Sequence, residues 1–328
     1  MTGAQLEAKI GIIGYKNHAY RVISILEKFQ DCNVKFIYHP TKNLTDNRFT
    51  NDFSKLLTCD AIIIASPNYT HFEYLKKLVS TYNGYILCEK PPVTSMEQID
   101  FLNSLSKKDK SRIYFNFNYR FSNLAKVLKS YMNSEQIGKI ISINIISTHG
   151  LAFKNDYENS WRADGQKNKH AILETVSIHY VDLFSSIFGK INQAKYFPNL
   201  VSERGSSFDT SNLLIKYSNG VSLSIFNSYA TPYLEDFLIL GTNGYIRILD
   251  NELKIYSPRD TYDDNGFFIN PPIYKKQEFS IISDYENSLI ESLKFFINKI
   301  NKHDNFLNED FDHSLLSNKI ILELEEQN

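Results

Sequence analysis

The sequence is poor in cysteine, and none of its histidines are spaced as metal ligands. Its three cysteines, Cys32, Cys59 and Cys88, lie far apart and include no C-x-x-C pair, which suits a reducing compartment and offers no zinc site. The eight histidines include no H-x-H or H-x-x-x-H pair. We therefore expect a protein of a reducing compartment that binds no metal.

The chain also lacks long apolar runs and a surplus of charge of one sign. No apolar run approaches the roughly 18 residues of a membrane span, and residues 1–8 show no basic-then-apolar secretion signal. The formal net charge of -1 gives no reason to expect nucleic acid, a membrane surface or another polyanion as a partner. These absences predict a cytoplasmic protein.

What the first part of the chain does contain is a regular alternation of strands and helices. With 328 residues and a 42% hydrophobic composition, the chain is long and apolar enough for two domains with full cores. Apolar runs at 9–14, 34–38, 60–66, 85–88 and 112–117 predict buried strands. Apolar residues at helical spacing predict helices at 18–30, at 70–78 and from residue 95 onward. This order predicts βαβ units and hence a parallel sheet.

Beyond residue 120 the pattern becomes that of a mostly antiparallel sheet. A helix is predicted at 123–132 and a half-exposed strand at 141–147. A second helix at 171–188 precedes strands at 194–197, 212–217, 221–227, 236–240 and 245–249. Residues 260–278 are polar and are predicted to form a long loop, and helices at 285–301 and 311–325 close the chain. We therefore predict an α/β protein with one domain over residues 1–121 and a second over residues 122–328.

A charged pair, Glu89 and Lys90, ends the fourth predicted strand. Pro91 follows, and because it has no N–H and biases Lys90 away from the helical region, the chain cannot turn directly into a helix there. Open α/β sheets bind their ligands at the carboxyl ends of their strands. From these residues alone, the pair is either part of such a site or an exposed loop pair.

The turn after the first strand matches only part of the dinucleotide-binding pattern G-x-G-x-x-G. It begins with Gly14 and ends with Ala19, which the pattern allows, but Lys16 stands at the second glycine. That glycine normally lets the backbone approach the pyrophosphate, whereas a lysine can supply charge to the phosphates if its side chain finds room. We take Gly14, Lys16, Asn17 and His18 as candidate cofactor-binding residues.

The end of the second predicted strand lacks the acidic residue that binds the ribose of NAD. His39, Thr41 and Lys42 stand there instead, and these residues suit the 2′-phosphate of NADP better. We therefore predict NADP in preference to NAD. The alternative is that this loop contacts no nucleotide.

Five short motifs occur along the chain in a definite order. They are Ala65-Ser66-Pro67-Asn68-Tyr69-Thr70-His71, Glu89-Lys90-Pro91, Asn118-Tyr119-Arg120-Phe121, Trp161-Arg162 and Ile178-His179-Tyr180-Val181-Asp182. In these motifs the chain resembles the Gfo/Idh/MocA oxidoreductases, the group that contains glucose-fructose oxidoreductase and inositol dehydrogenase. The resemblance covers nearly the whole length. It implies an N-terminal Rossmann domain with a parallel sheet and a C-terminal α/β domain with a mostly antiparallel sheet.

The resemblance also implies a reaction, namely hydride transfer between NADP or NAD and a hydroxyl or keto carbon of a sugar or nucleotide sugar. Lys90 would bind the reacting hydroxyl, and His179 would take its proton, because an imidazole has a pKa near neutrality. The motifs imply that Ser66, Pro67, Asn68, His71, Glu89, Lys90 and Asn118 bind the cofactor and that Tyr119, Trp161, Arg162 and Asp182 bind the substrate.

The chain departs from the family pattern just before His179. Many members carry an aspartate four residues earlier, about one helical turn away, and Thr175 stands there in this sequence. Threonine can hydrogen-bond an imidazole but cannot stabilise its charged form. We treat Thr175 as a candidate catalytic residue and Asp182, three residues beyond His179, as another possible partner of the ring.

Two alternatives to a dehydrogenase remain open at this point. One is an enzyme that oxidises a sugar carbon transiently to permit elimination or hydrolysis. The other is a non-catalytic ligand-sensing or partner-binding protein on the same fold, because a fold alone does not carry function. A broad antiparallel sheet with few helices to cover it also predicts a homodimer or homotetramer.

Overall fold

The chain forms two compact units in the computed structural model, which describes residues 7–42, 45–168, 170 and 172–324. The first unit contains the described residues up to Asn118 together with Leu289–Leu322. The second contains Tyr119–Ser288 and the described residues after Leu322. The sequence prediction assigned everything from residue 122 onward to the second domain, whereas the contacts group Leu289–Leu322 with the first unit.

The first unit is built on a parallel sheet. Its strands are β1 Ala8–Ile13, β2 Cys32–Tyr38, β3 Phe49–Thr50, β4 Ala61–Ile64, β5 Tyr85–Glu89 and β6 Ile113–Asn116. They form six strands in the order β3-β2-β1-β4-β5-β6, and every neighbouring pair is parallel. Strands β4 and β6 are buried at every position, as expected for strands covered on both faces. The five predicted strands are confirmed, and the two-residue β3 is too short to leave a sequence pattern.

Eight α-helices lie within the described ranges. They are α1 Asn17–Leu26, α2 His71–Thr81, α3 Met96–Asn103, α4 Lys107–Lys110, α5 Asn123–Tyr131, α6 Ile178–Phe188, α7 Ile281–Asn301 and α8 Asn308–Leu322. Helix α1 buries Ala19, Val22, Ile23 and Leu26, which recur at the spacing of one helix face. None of the described helices is both long enough and apolar enough to cross a bilayer.

Aromatic packing explains why the end of the chain joins the first unit. Tyr114 of β6 stacks on Phe306 with ring centroids 5.2 Å apart, and Phe306 stacks in turn on Phe296 of α7. Phe115, next along β6, packs on Phe311 of α8 at 4.9 Å. These rings are largely buried, so the two closing helices complete the core on the parallel sheet.

The second unit is built on a mostly antiparallel sheet. Its strands are β7 Ile140–Thr148, β8 Ile191–Asn199, β9 Thr210–Tyr217, β10 Ser222–Ser228, β11 Leu234–Gly241, β12 Tyr245–Leu249, β13 Glu252–Tyr256 and β14 Ile273–Glu278. The order is β14-β13-β12-β11-β7-β10-β9-β8, and β7 with β10 is the parallel pair. Strand β9 alternates buried and exposed residues from Asn212 onward, as a sheet with one covered face requires.

The sheet is wider than the sequence predicted. The predicted loop at 260–278 was wrong at its end, where β14 pairs with β13, and β13 itself was not predicted. Strand β14 lies at the edge and is exposed at nearly every position, so it carries no apolar alternation that a pattern search would find.

The predicted helix at 171–188 consists of two parts. Residues Leu173–Ser177 form a π-helical turn, and α6 follows directly from Ile178. Residue 171, the predicted start, lies outside the described residues. A π-helical turn within a helix is a rare feature that often occurs at functional sites.

Candidate active site

Gly14 shapes the turn at the carboxyl end of β1. Its backbone has a φ of +121°, and a Cβ placed there would lie 2.6 Å from the carbonyl oxygen of Ala65. Its N–H donates to the carbonyl oxygen of Tyr38 at 3.2 Å. Only glycine fits this conformation and this close approach, so Gly14 brings together the ends of β1, β2 and β4.

Lys16, at the position of the missing glycine, is the N-cap residue of α1. Its backbone is extended, with φ −89° and ψ −179°, a conformation that any L-residue adopts. Its side chain is exposed, as is that of Asn17. The ammonium therefore adds positive charge at a helix N-terminus, where free backbone N–H groups already favour an anion.

The loop after β2 forms a second basic surface beside this turn. The Nδ1 atom of His39 accepts the backbone N–H groups of Thr41 at 3.2 Å and Lys42 at 3.1 Å. Burial, together with the charges of Lys42 and Lys16, lowers the pKa of His39. Tyr15 packs edge-on against His39 at 4.8 Å, and Lys42 Nζ lies 5.6 Å from the Tyr15 ring centroid. His39 is therefore held neutral, and the two lysines supply the positive charge.

The Ser66–His71 turn follows β4, and the buried side chain of His71 holds it in place. His71 is 2% exposed, and its ring nitrogens lie 2.8 Å from the carbonyl oxygens of Ser66 and of Pro91. Burial lowers the pKa of His71, although both carbonyl contacts act in the opposite direction. The ring thus joins the loops after β4 and β5, and its two nitrogens face the backbone.

Asn68 and Ser66 complete the same turn. Asn68 is buried and its side-chain oxygen accepts the N–H of Tyr69 at 2.8 Å. The hydroxyl oxygens of Ser66 and Thr70 are 2.7 Å apart. Pro67 lies between Ser66 and Asn68 in the sequence. The turn therefore presents a fixed backbone at the carboxyl end of β4.

A buried carboxylate, Glu89, ends β5. Its Oε1 atom accepts a hydrogen bond from the side-chain amide of Asn116, with an Nδ2 to Oε1 distance of 2.7 Å. The same oxygen lies 2.9 Å from Nε2 of His18. Burial raises the pKa of Glu89, but the charge and hydrogen bond of His18 and the Asn116 amide outweigh burial and hold the pKa below its ordinary value. Lys90 follows directly and is half-buried. Asn116 was not predicted from the sequence, and Asn118, which was, is buried just beyond it.

In the second unit, His179 lies in the first turn of α6. It is 6% exposed, and its imidazole stacks on the ring of Tyr119 with centroids 4.5 Å apart and planes 18° apart. Tyr119 belongs to a short 3-10 helix, Asn118–Phe121. The structure therefore brings together two predicted site residues that are 60 positions apart in the sequence.

Asp182, one turn further along α6, is fully buried in an ion pair. Its two carboxylate oxygens accept hydrogen bonds from Nε and Nη2 of Arg120, at 2.7 and 2.6 Å, so the contact is bidentate. The Asp182 side chain is 0% exposed and that of Arg120 is 19% exposed. This geometry makes Asp182 a partner of Arg120, and its predicted role, to bind substrate or to orient His179, stays a prediction.

Tyr229, which directly follows β10, lies in contact with residues that the sequence predicted for the site. Its hydroxyl hydrogen-bonds the hydroxyl of Thr175, and the charge of Arg162 acts on the same hydroxyl. The Arg162 guanidinium lies over the Trp161 ring at 4.4 Å, and the ring of Tyr229 stacks on His149 at 4.8 Å. Burial raises the pKa of Tyr229. The sequence did not single out Tyr229 among 21 tyrosines, because nothing in its neighbourhood distinguishes it.

This second cluster is suited to holding a neutral, hydroxyl-rich ligand. An arginine, a threonine and a tyrosine offer several hydrogen-bond donors and acceptors, and the aromatic rings offer flat apolar faces. In the part of the chain that the structure describes, no three histidine, cysteine, aspartate or glutamate side chains form a group able to hold a metal ion.

Comparison with known families identifies the class of protein to which the chain belongs. Residues 8–117 match the model of an oxidoreductase family with an NAD-binding Rossmann fold, and residues 126–247 match the GFO/IDH/MocA C-terminal domain. Together the two models cover more than half of the chain. The chain therefore belongs to the GFO/IDH/MocA family of oxidoreductases.

Particular relatives are sugar and polyol dehydrogenases. The chain is 25% identical over 189 residues to glucose-6-phosphate 3-dehydrogenase of Bacillus subtilis, covering 55% of this chain and 53% of that protein. It is 24% identical over 248 residues to myo-inositol 2-dehydrogenase of Thermotoga maritima, covering 74% and 69%. The chain thus spans only about half the length of the first relative.

A solved structure extends the similarity of fold to nearly the whole chain. A levoglucosan dehydrogenase, determined in complex with NADH and levoglucosan, superposes with a TM-score of 0.76. The superposition covers 96% of this chain and 95% of that one at 17% identity, which establishes the shared fold.

Proposed function

We propose that the protein transfers a hydride between a nicotinamide dinucleotide and a hydroxyl or keto carbon of a sugar or nucleotide sugar. The observation that carries the proposal is the polar end of β5, where the Asn116 amide donates to Glu89 and His18 lies at ion-pair distance from it. Lys90 follows directly, at the edge where parallel sheets bind ligands. Membership of an oxidoreductase family with an NAD-binding Rossmann fold supports the reaction class.

Lys90 is proposed to bind the reacting oxygen. As hydride leaves an alcohol carbon, negative charge develops on the oxygen, and an ammonium group at close range stabilises that charge. The neighbouring Glu89 carboxylate, whose pKa is held low, supplies a balancing negative charge to the half-buried lysine. The dinucleotide, when bound, supplies the hydride chemistry, and the residues of the turns after β1, β2 and β4 would hold it.

His179 is proposed to take the hydroxyl proton. A histidine suits this role because its pKa lies near neutrality, and stacking on Tyr119 restricts its ring to one plane. Thr175 can add a hydrogen bond to the site but no charge. Asp182 is proposed to position Arg120 and not to contact substrate, because both of its oxygens are engaged and its side chain is fully buried.

The Tyr229 cluster is proposed to bind the hydroxyl groups of the substrate. Thr175 and Tyr229 are joined by a hydrogen bond that a sugar hydroxyl could share, and the charge of Arg162 acts on the Tyr229 hydroxyl. The Trp161 ring beside Arg162 offers a face for the apolar side of a sugar ring. The sugar and polyol substrates named for the relatives support this class.

The cofactor is proposed to be NADP. Lys16 and Lys42 both act on His39, and neither forms an ion pair with a carboxylate among the described residues. Two such lysines would pair with the 2′-phosphate, whereas the ribose of NAD would find no carboxylate in the loop at residues 39–42.

A fluorescence titration with NADPH and with NADH tests this cofactor assignment. The Lys42→Ala variant should lose roughly tenfold in NADPH affinity, since one charge-assisted contact contributes about 1.5 kcal/mol or more. Its NADH affinity should not change. The matched control is Lys35→Ala, an exposed lysine on β2 itself, which should leave both affinities unchanged. Tighter binding of NADH by the wild type, or an equal loss for both dinucleotides in the variant, would contradict the assignment.

A substrate panel tests the reaction. Glucose 6-phosphate, myo-inositol, levoglucosan and several nucleotide sugars are each incubated with the oxidised dinucleotide, and the absorbance of its reduced form is followed. Turnover with one class of sugar is expected. The second candidate function is a ligand-sensing protein, which the replacement of a family carboxylate by Thr175 favours, and binding of a sugar without any turnover would support it.

We also propose a cytoplasmic homo-oligomer. Large apolar side chains point out of the second sheet, among them Ile141, Phe197 and Leu214, which are 46%, 38% and 42% exposed. Such a face is typical of a surface that a second copy covers. Light scattering during gel filtration should report a dimer or tetramer, and a monomer would contradict this proposal.

A further inference from the structure

A row of hydrogen-bonded side chains leads from helix α7 to the carboxylate of Glu89 in the first unit. Asn116 of β6 lies opposite Glu89 in the parallel sheet, and its Nδ2 atom donates to Glu89 Oε1 at 2.7 Å. Ser292 of α7 donates its hydroxyl to Asn116 Oδ1 at 2.6 Å. The hydroxyl oxygen of Tyr114, two residues before Asn116 on β6, lies 2.9 Å from that of Ser292. Each link of the row is therefore a hydrogen bond of ordinary length.

The row is buried along its whole length. The side chains of Glu89 and Tyr114 are buried, and Asn116 and Ser292 have no exposed surface at all. A buried polar group costs free energy unless it is hydrogen-bonded, and each of these side chains meets its partner inside the row. The row ends at the edge where a parallel sheet binds its ligands, which indicates a role in the site.

The chemistry of these groups fixes the direction of every hydrogen bond in the row. Burial raises the pKa of Glu89, but the charge of His18 and the Asn116 amide outweigh burial, so the carboxylate stays ionised. A carboxylate only accepts, so Asn116 turns its N–H groups toward Glu89 and its oxygen toward the Ser292 hydroxyl. Ser292 then donates to Asn116 and accepts from the Tyr114 hydroxyl. All the donors of the row thus point toward the negative charge.

The carboxylate connects the row to the imidazole of His18, in the first turn of α1. Nε2 of His18 lies 2.9 Å from Glu89 Oε1, the same oxygen that accepts from Asn116. The His18 side chain is 33% exposed, so the ring meets the buried carboxylate on one side and remains accessible elsewhere. Its helix begins beside the turn after β1, where free backbone N–H groups favour an anion. The row therefore joins a buried serine on α7 to a candidate cofactor-binding residue.

We propose that Asn116 and Ser292 are positioning residues for His18, acting through the Glu89 carboxylate. Ser292 keeps the Asn116 amide from rotating, the amide places the carboxylate, and the carboxylate holds the imidazole. Binding groups keep their geometry only when a second layer of contacts locks their rotamers. This inference rests on the proposed function, in which the turn after β1 would hold the dinucleotide.

The test follows the imidazole of His18 by NMR in full-length protein labelled with ¹⁵N-histidine, with His18→Gln used to assign its resonances. All proteins are compared without ligand at one pH. Ser292→Ala removes the donor to Asn116, and Asn116→Ala removes the donor to Glu89, so both variants should change the chemical shift of His18 Nε2. Ser292→Thr keeps a hydroxyl at the same position and should leave the shift close to its wild-type value.

The same variants should weaken the binding of NADPH, measured by fluorescence titration. Asn116→Ala should lose roughly threefold to tenfold in affinity, which corresponds to the loss of one hydrogen bond. Ser292→Ala should lose less, because Ser292 stands one link further from His18. The matched control is Ser288→Ala, a fully buried serine one turn earlier on α7 whose hydroxyl donates to the carbonyl oxygen of Tyr285 at 2.8 Å. It should change neither the His18 shift nor the affinity.

An unchanged His18 shift in Ser292→Ala would overturn the proposal. This variant removes a single oxygen atom, so it decides the question even if Asn116→Ala fails to fold, and the other histidine resonances report folding. An unchanged NADPH affinity in a variant whose His18 shift has moved would overturn the proposal as well. Absence of NADPH binding by the wild type would instead contradict the proposed function, and the His18 shift would then decide the positioning role by itself.

Discussion

The replacement Asp182→Asn should destabilise the second unit by about 3 kcal/mol. The mutation leaves the Arg120 guanidinium, which is 19% exposed, without the carboxylate that accepts two of its N–H groups at 2.7 and 2.6 Å. Removal of one partner from a buried ion pair typically costs about 3 to 5 kcal/mol, and we take the lower end because Arg120 retains some solvent contact. For a unit of this size, that loss lowers the midpoint of thermal unfolding by roughly 6 to 12 °C.

The chain contains a matched control for this prediction. Arg247 and Asp236 form the same two-point contact in the same unit, with distances of 3.2 and 2.9 Å, but the Arg247 side chain is 46% exposed. Asp236→Asn should therefore cost less than about 1 kcal/mol. Calorimetry or denaturant unfolding of both variants measures the difference.

Equal losses for the two variants would refute the reasoning, because burial is the property that distinguishes the pairs. The double variant Asp182→Asn with Arg120→Met adds a second check. Removing the stranded charge should restore a large part of the lost stability. No recovery would mean that Asp182 acts mainly through other contacts of the helix.

Two further predictions concern the two candidate binding regions. Gly14→Ala places a methyl group 2.6 Å from the carbonyl oxygen of Ala65 at a φ of +121°, so calorimetric titration should detect no dinucleotide binding. Ala19→Gly, in the first turn of α1, should retain binding. Tyr229→Phe removes a buried hydroxyl that is hydrogen-bonded to Thr175, so it should cost about 1 to 2 kcal/mol of stability and raise the KM for substrate. Tyr157→Phe is its control, because the Tyr157 hydroxyl is buried without a hydrogen-bond partner in the described ranges, and it should be nearly neutral. Binding by Gly14→Ala, or equal effects of the two tyrosine variants, would contradict these predictions.

The parallel sheet could be predicted from the sequence because burial on both faces leaves a continuous apolar run. Strand β4 reads Ala-Ile-Ile-Ile and is buried throughout. Strand β14 could not be predicted, because an exposed edge strand is held by backbone hydrogen bonds that leave no side-chain pattern. The assignment of Leu289–Leu322 to the first unit depends on rings such as Phe306 and Phe311 meeting Tyr114 and Phe115, which are distant in sequence.

The candidate site shows a similar division. Motif residues such as Glu89, Lys90 and His179 could be named from the sequence, because their order along the chain carries the resemblance. Tyr229 could not, because it meets Thr175 and His149 only in the folded chain. The π-helical turn at Leu173–Ser177 is likewise absent from the sequence pattern, since its apolar residues fit an ordinary helix.

The most direct test of the central claim is to follow a label from substrate to cofactor. A sugar from the active class, deuterated at the reacting carbon, is incubated with the oxidised dinucleotide, and the products are examined by NMR and mass spectrometry. The account predicts that deuterium appears on the nicotinamide ring of the reduced cofactor in equal amount to the keto product, and that Lys90→Met abolishes the transfer. Loss of the label to water without accumulation of reduced cofactor, or transfer by Lys90→Met at the wild-type rate, would contradict it.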